Sequence, residues 1–239
     1  MTAGPEANVL LGSLPPFERQ ILRQHLRPVS LQTKQQLYET GATVRVLLFP
    51  VNAAISIMDM QRSGQLVEVA VIGREGCTSS HSLEGLRHSP THTLVEIGGD
   101  AFQVDLAAIE AEQTQLPVLH RMARRFSAVM YRHAVISVGC SQWHSVPQRL
   151  ARWLLAHHHR TDHTVFPFTH EFLAEQLGCQ RATITEWLGD FQQKGLVKHG
   201  YGSVELLDVP QLRTMTCECF GLAAQAIDEY LKDIESYRS

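Results

Sequence analysis

No run of apolar residues in this chain approaches the ~20 that a membrane-spanning helix requires. The segment MTAGPEANVLLGSLPP has no basic region leading into an apolar core, so no secretory signal is expected. Cysteine is sparse: five residues, scattered and odd in number, which argues against a disulfide framework and for a reducing cytoplasm. Cys217-Glu218-Cys219 has half of a metal-ligand pattern, but no second CxC or CxxC completes it, so no metal site is expected. His157-His158-His159 and His163 offer no better set. Adjacent histidines on one helix point in different directions, which fits a solvated helix end. An excess of positive charge is also missing. The net charge of −3 means that any attraction to phosphate must come from a local patch. With no nucleophile–base pair, phosphate loop or complete metal set in view, an enzyme is not expected, and no cofactor is assigned.

What is present fits a globular chain of one large or two modest domains, 44% hydrophobic and 19% charged over 239 residues. Its most informative stretch runs from Phe168 to Leu207. Thr169 can cap a helix, Glu171 suits the positive end of that helix, and Leu173, Ala174 and Leu177 give it a buried stripe. Gly178 can close it in the left-handed conformation. A second helix begins after Cys179-Gln180, with Ile184 and Leu188 four apart and facing inward. Gly195-Leu196-Val197-Lys198 ends that helix, and Gly200-Tyr201-Gly202-Ser203 turns into the strand Val204 to Leu207. Two short helices joined by a tight turn and followed by a wing suit the major groove of DNA, with the first residues of the second helix on base edges. Arg181 is the expected bidentate reader of a guanine. Thr169, Thr183, His199 and Tyr201 are expected on phosphates, while His170, Gln180, Thr185 and Glu186 complete the surface.

Upstream, residues 1–13 read as a loose arm and Glu18 to Leu26 as a short helix, with Phe17, Ile21 and Leu22 on one buried face. From Pro28 the period changes. Short apolar or alternating runs at Val29–Leu31, Gln36–Tyr38, Val46–Phe49, Ala54–Met58, Leu66–Ile72 and Thr93–Ile97 are separated by turn signals, as in a sandwich or barrel. Asp105 to Glu112 reads as a helix, and Pro117 opens a long one. Leu119, Met122, Phe126, Val129, His133, Ile136, Cys140 and Trp143 recur in steps of three and four, a seam suited to pairing with a second copy. His133 on that seam is expected to be a satisfied structural residue. Val146-Pro147 marks a domain junction, and Phe220 to Tyr237 reads as a final packed helix.

In order, these features resemble the CRP/FNR family of transcription factors, the cyclic-AMP receptor protein and its relatives. The resemblance rests on Thr169, Leu177-Gly178, Arg181-Ala182-Thr183-Ile184, Gly195-Leu196-Val197 and Gly202, with Tyr38-Glu39-Thr40-Gly41 and Phe49-Pro50 upstream. It implies an α+β protein: an antiparallel β-roll sensor at 14–115, a dimerisation helix at 116–145, and a winged helix-turn-helix with a C-terminal helix at 146–239. It also implies a homodimer on a near-palindromic duplex, with RNA polymerase and a small effector as further partners. The family's phosphate cassette falls on Gly73-Arg74-Glu75-Gly76-Cys77, with Thr91 and His92 where the family carries its arginine. That missing arginine argues against cyclic AMP and favours a structural turn at Gly73 to Gly76; the alternative is a pocket of Gly73, Glu75, Gly76, Thr91 and His92 for another effector, which the sequence does not name. The rival reading is an effector-sensing roll, for cyclic nucleotide, haem or another small ligand, whose output is protein contact.

Overall fold

A computed structural model describes residues 3–62 and 64–235, the last three by backbone alone. Ser63, the side chain of Ile234 and residues 236–239, of which 236 and 237 fall in the expected last helix, lie outside the described residues.

The chain begins with α1 (Val9–Ser13) and α2 (Pro16–Arg23). The second half of the expected loose arm is in fact packed: Asn8, Leu10, Leu11 and Ser13 are buried. Asn8 explains this. Its side-chain oxygen accepts from Leu11 N and caps α1, while Nδ2 donates to the carbonyls of Pro50 and Gly76 at 2.8 and 2.9 Å. In α2, Phe17 is exposed and Glu18 is buried, the reverse of the apolar pattern. The Glu18 carboxylate accepts from Val118 N and Leu119 N, two first-turn amides of the long helix that have no intrahelical partner.

Strands β1 (Arg27–Leu31), β2 (Gln36–Tyr38), β3 (Val46–Pro50), β4 (Ala54–Met60), β5 (Leu66–Ile72), β6 (His92–Ile97) and β7 (Gly99–Asp105) follow. They form two antiparallel sheets, ordered β1-β7-β3 and β2-β6-β4-β5. Strand β7 was not among the runs expected from the sequence; Gly98 precedes it and Gly99 opens it. Both must be glycine: a Cβ would lie 2.8 Å from the Leu31 carbonyl oxygen at Gly98 and 2.5 Å from Asn52 Oδ1 at Gly99. Strand β7 is the central strand of its sheet.

Helix α3 (Leu106–Ala111) leads to α4 (Pro117–Trp143), then α5 (Val146–Thr161), opened by a capping box between Ser145 and Gln148. The short β8 (Val165–Phe166), α6 (His170–Leu177), α7 (Arg181–Gln193), β9 (Val197–Gly200) and β10 (Ser203–Leu206) make the winged unit, its sheet ordered β8-β10-β9. Helices α8 (Val209–Thr214) and α9 (Cys219–Glu235) end the described chain. The last helix was expected to go with the winged unit, yet it packs along α4, where Ile227 and Tyr230 join the core of the roll.

The direction of the long seam is a second correction. Leu119, Met122, Phe126, Val129, His133, Ile136 and Cys140 are all buried within one chain, against the roll and α9. The roll alone would not cover a stripe this long; the returning α9 supplies the rest. Trp143 is instead exposed. The face of α4 left open is a different stripe: Arg121, Arg124, Ala128, Tyr131, Val135, Val138 and Gln142, again in steps of three and four.

Candidate DNA-binding surface

The winged unit is organised by a closed apolar centre of Leu150, Leu154, Phe166, Phe168, Leu173, Leu177, Ile184, Leu188 and Phe191. Burying Ile184 and Leu188 fixes the rotation of α7, so its first turn, Arg181 and Ala182, faces solvent. Thr169 Oγ1 accepts from Phe172 N at 3.1 Å, and Gly178 ends α6 at φ 58°. The turn between α6 and α7 is thus closed by the residues that the local pattern singled out.

A chain of polar contacts ties three elements together on this face. Thr185 Oγ1 donates to the Arg181 carbonyl at 3.1 Å, leaving its oxygen to accept from His170 Nδ1–H at 2.8 Å. The His170 ring centroid lies 5.1 Å from that of His199 on β9. Burial, then His199, then Arg181 hold the His170 pKa below its ordinary value, which keeps the ring neutral. Arg181 Nε is 3.8 Å from Glu171 Oε2, an exposed pair worth at most about 1 kcal/mol, so the guanidinium can leave it for a base edge at little cost. Gln180 is the N-cap residue of α7, with Thr183 half-buried and Glu186 exposed on the same helix. Tyr201 stands fully exposed at the wing tip beside Gly202, whose φ of 70° permits the turn. Of the DNA-side residues expected from the sequence, His170, Arg181, Thr185 and His199 are thus linked on one face.

The expected effector residues do not come together in the same way. Gly73 and Gly76 are pressed against protein: a Cβ would lie 2.5 Å from Arg160 Cβ at Gly73 and 2.0 Å from Phe126 Cζ at Gly76. Glu75 is buried. Its Oε1 accepts from Gly73 N at 3.1 Å and lies 3.2 Å from Arg160 Nε. Arg74 pairs with Asp162 at the end of α5. The cassette region is thus a joint between the roll and α5. Thr91 lines a separate cavity with Ile57, Ile72, Ser80, Thr93 and Met130. His92 opens β6, opposite Met58.

Two buried polar groups were not legible as such in the sequence. Arg160 donates through Nε to the Val71 carbonyl at 3.0 Å, through Nη1 to Ala156 O at 2.9 Å, and through Nη2 to His133 Nδ1 at 3.3 Å. His133 Nε2–H then donates to Ala223 O at 3.1 Å. Burial and the adjacent guanidinium push His133 down to about 4, so it is the satisfied neutral residue expected of it. The second group is Glu68, Glu96 and His157. His157 is wholly buried, not solvated, and its Nε2 meets Glu96 Oε2. Its Nδ1–H donates to the Trp153 carbonyl at 2.9 Å, so Nε2 of the neutral ring accepts from a protonated Glu96. Trp153 Nε1–H donates to Glu68 Oε1 at 3.0 Å, and Ser56 Oγ lies 2.5 Å from Glu96 Oε2. Burial raises Glu68 to about 8, with Glu96 adding to it, and raises Glu96 to about 7; burial lowers His157 to about 4.

Residues 148–215 match the Crp-like helix-turn-helix domain. The chain carries a Crp-like helix-turn-helix on the fold of the CRP/FNR regulators. Its whole-length similarity is structural. A candidate transcriptional regulator of the CRP/FNR family from Eubacterium rectale superposes with a TM-score of 0.62 at 17% identity, over 86% of this chain and 96% of that one. FixK2 from Bradyrhizobium japonicum gives 0.63 at 15% identity, over 80% and 98%. In sequence, the transcriptional regulator SdrP of Thermus thermophilus is 33% identical over 58 residues, which span 24% of this chain and 29% of SdrP. Beyond the helix-turn-helix, the likeness to these structures is one of fold. Among the described residues, no helix is long and apolar enough to cross a membrane.

Proposed function

We propose that this protein is a homodimeric, cytoplasmic transcription regulator of the CRP/FNR type that reads a near-palindromic duplex through α7 and does so without cyclic AMP. The observation that carries this reading is the exposed first turn of α7, with Arg181 beside a His199–His170–Thr185 chain that links wing and recognition helix. Arg181 takes the guanine O6/N7 edge, and Thr169, His199 and Tyr201 take phosphates on either side. Arg181→Ala is expected to weaken binding by about 1–3 kcal/mol per half-site and to relax preference at one base pair. Fluorescence anisotropy on an operator selected from fragmented genomic DNA measures this. An equal loss on unrelated duplexes would mean that Arg181 contacts only phosphate.

Two copies pair through the open stripe of α4. Tyr131, Val135 and Val138 are 72%, 50% and 65% exposed and follow one another at coiled-coil spacing, a contiguous apolar strip of the kind that marks an interface. The basic Arg121 and Arg124 and the polar Gln142 flank it on the same stripe. Val135→Asp is expected to convert the dimer to a monomer in light-scattering chromatography. Operator affinity should fall at least ~100-fold as the second half-site is lost. An unchanged dimer would place the interface elsewhere. Independence from cyclic AMP is supported by the filled cassette: Arg160 and Phe126 occupy the space over Gly73 and Gly76, and Glu75 is committed to Arg160.

A further inference from the structure

Four side chains that DNA binding does not use meet where α4 ends and α9 begins. Cys140 and His144 are four residues apart on the last turn of α4 and its cap, so they face the same way. Cys217 stands in the link from α8 to α9, and Cys219, on the other side of Glu218, opens α9. One ligand atom from each of the four lies within 4.8 Å of the other three. Cys140 Sγ and Cys217 Sγ are 3.6 Å apart, as are Cys219 Sγ and His144 Nδ1. All three sulfurs are free thiols in buried residues.

These spacings suit one ion. A tetrahedron with metal–sulfur bonds of about 2.3 Å and metal–nitrogen bonds of about 2.0–2.1 Å has ligand-to-ligand edges of roughly 3.6–3.8 Å. A disulfide would bring two sulfurs to about 2.05 Å, and atoms this close leave no room for a multi-iron core. A second observation is independent of the sulfurs. His144 presents Nδ1 to the cluster, and its other nitrogen, Nε2, lies 3.2 Å from Glu218 Oε2. A ligating histidine whose remaining N–H donates to a carboxylate is the usual outer arrangement of a metal site. Three cysteines buried merely as small apolar groups would not call for an imidazole so oriented.

We propose that Cys140, His144, Cys217 and Cys219 bind a structural zinc ion that clips the C-terminal helix to the end of α4. Binding releases three thiol protons to solvent and leaves Zn(II) held by three thiolates and a neutral imidazole. Four protein ligands fill the tetrahedron, so no position remains for substrate or catalytic water. The sequence hid the set because its two halves lie 73 residues apart, from His144 to Cys217, and only the return of α9 joins them.

The test uses the full chain. Elemental analysis by mass spectrometry of protein grown with zinc is expected to give one zinc per chain. Stripped protein titrated with Co(II) is expected to show the strong thiolate-to-metal absorption and visible bands of a tetrahedral site, saturating at one equivalent. The double variant Cys217→Ser, Cys219→Ser should lose both signals, and Cys179→Ser, on the turn between α6 and α7, should keep both. Folded wild-type protein with no zinc above background and no tetrahedral Co(II) spectrum overturns the site. So does zinc retained in the double variant, or a native Cys140–Cys217 disulfide found by peptide mapping. Should the double variant not fold, the wild-type Co(II) titration and the milder His144→Ala decide the matter.

Discussion

Arg160→Ala is expected to cost the fold about 3–5 kcal/mol, the range found when one partner of a buried ion pair is removed. Arg160 is 5% exposed and Glu75 4%, so neither can turn to water when the other is lost. The substitution strands more than the Glu75 carboxylate. It also frees the Val71 carbonyl on β5 and His133 Nδ1 on α4, and it removes the methylenes that lie over Gly73. Each is a polar group or a packed surface that has no substitute nearby. Because these partners come from the roll, α4 and α5, the loss should be felt as one cooperative destabilisation. Urea unfolding followed by tryptophan fluorescence measures it. Adding Glu75→Gln to Arg160→Ala should recover part of the loss, since the stranded charge is then gone. A change below about 1 kcal/mol in the single variant would mean that water reaches Glu75 and the joint is not closed.

Thermal stability is expected to fall by roughly 4–8 °C between pH 6.5 and pH 9, on the order of 2 kcal/mol for a chain of this size. The cause is the Glu68, Glu96 and His157 cluster between the β4-β5-β6 sheet and α5. Raised carboxyl pKa values mean that the folded protein holds protons which the unfolded chain has released. That contribution is complete below about 4.5 and is lost as pH rises through about 7 for Glu96 and about 8 for Glu68. His157, lowered to about 4, works in the opposite direction at low pH. Its contribution is complete above 6.5 and is lost as pH falls through about 4. Stability should therefore peak at mildly acidic pH and decline on the alkaline side as two carboxylates come to share a buried site. Arg152 lies close enough to soften this by favouring an ionised Glu68. Glu68→Gln removes one of the two charges and should flatten the alkaline limb, leaving the variant less pH-sensitive than the parent at pH 9. Scanning calorimetry across this range distinguishes the cases, and parallel alkaline limbs in both proteins would show that the cluster does not titrate on folding.

The two clusters also show where local reasoning stops. Thr169, Gly178, Arg181 and Gly202 could be assigned from spacing because caps, turns and the inward stripe of a helix depend on neighbours within a few residues. Pro117 and the three–four steps of α4 were equally plain. Which partner covers that stripe was not, because a seam has the same spacing whether it meets another chain or its own. The side chains from Leu119 to Cys140 turn inward because α9 returns to cover them, and Tyr131, Val135 and Val138 are left outside. His157 looked solvated for a related reason: the three adjacent histidines differ only in direction, and α5 aims one of them at Glu96.

The sequence by itself determined the order of the strands and helices apart from α1 and β7, the capped helix-turn-helix, the wing and the absence of a cyclic-nucleotide arginine, since each is written in residues close together along the chain. Only the tertiary structure decided that Arg160 fills the cassette, that Glu96 and His157 share a buried site, that the open stripe of α4 is the one through Val135, and that Cys140 and His144 meet Cys217 and Cys219. The physical reason is the same in each case. Burial and charge act through space at a few ångströms, and the residues they join in these clusters lie from 27 to 90 positions apart in the chain, as with His133 and Arg160 at one end and His133 and Ala223 at the other.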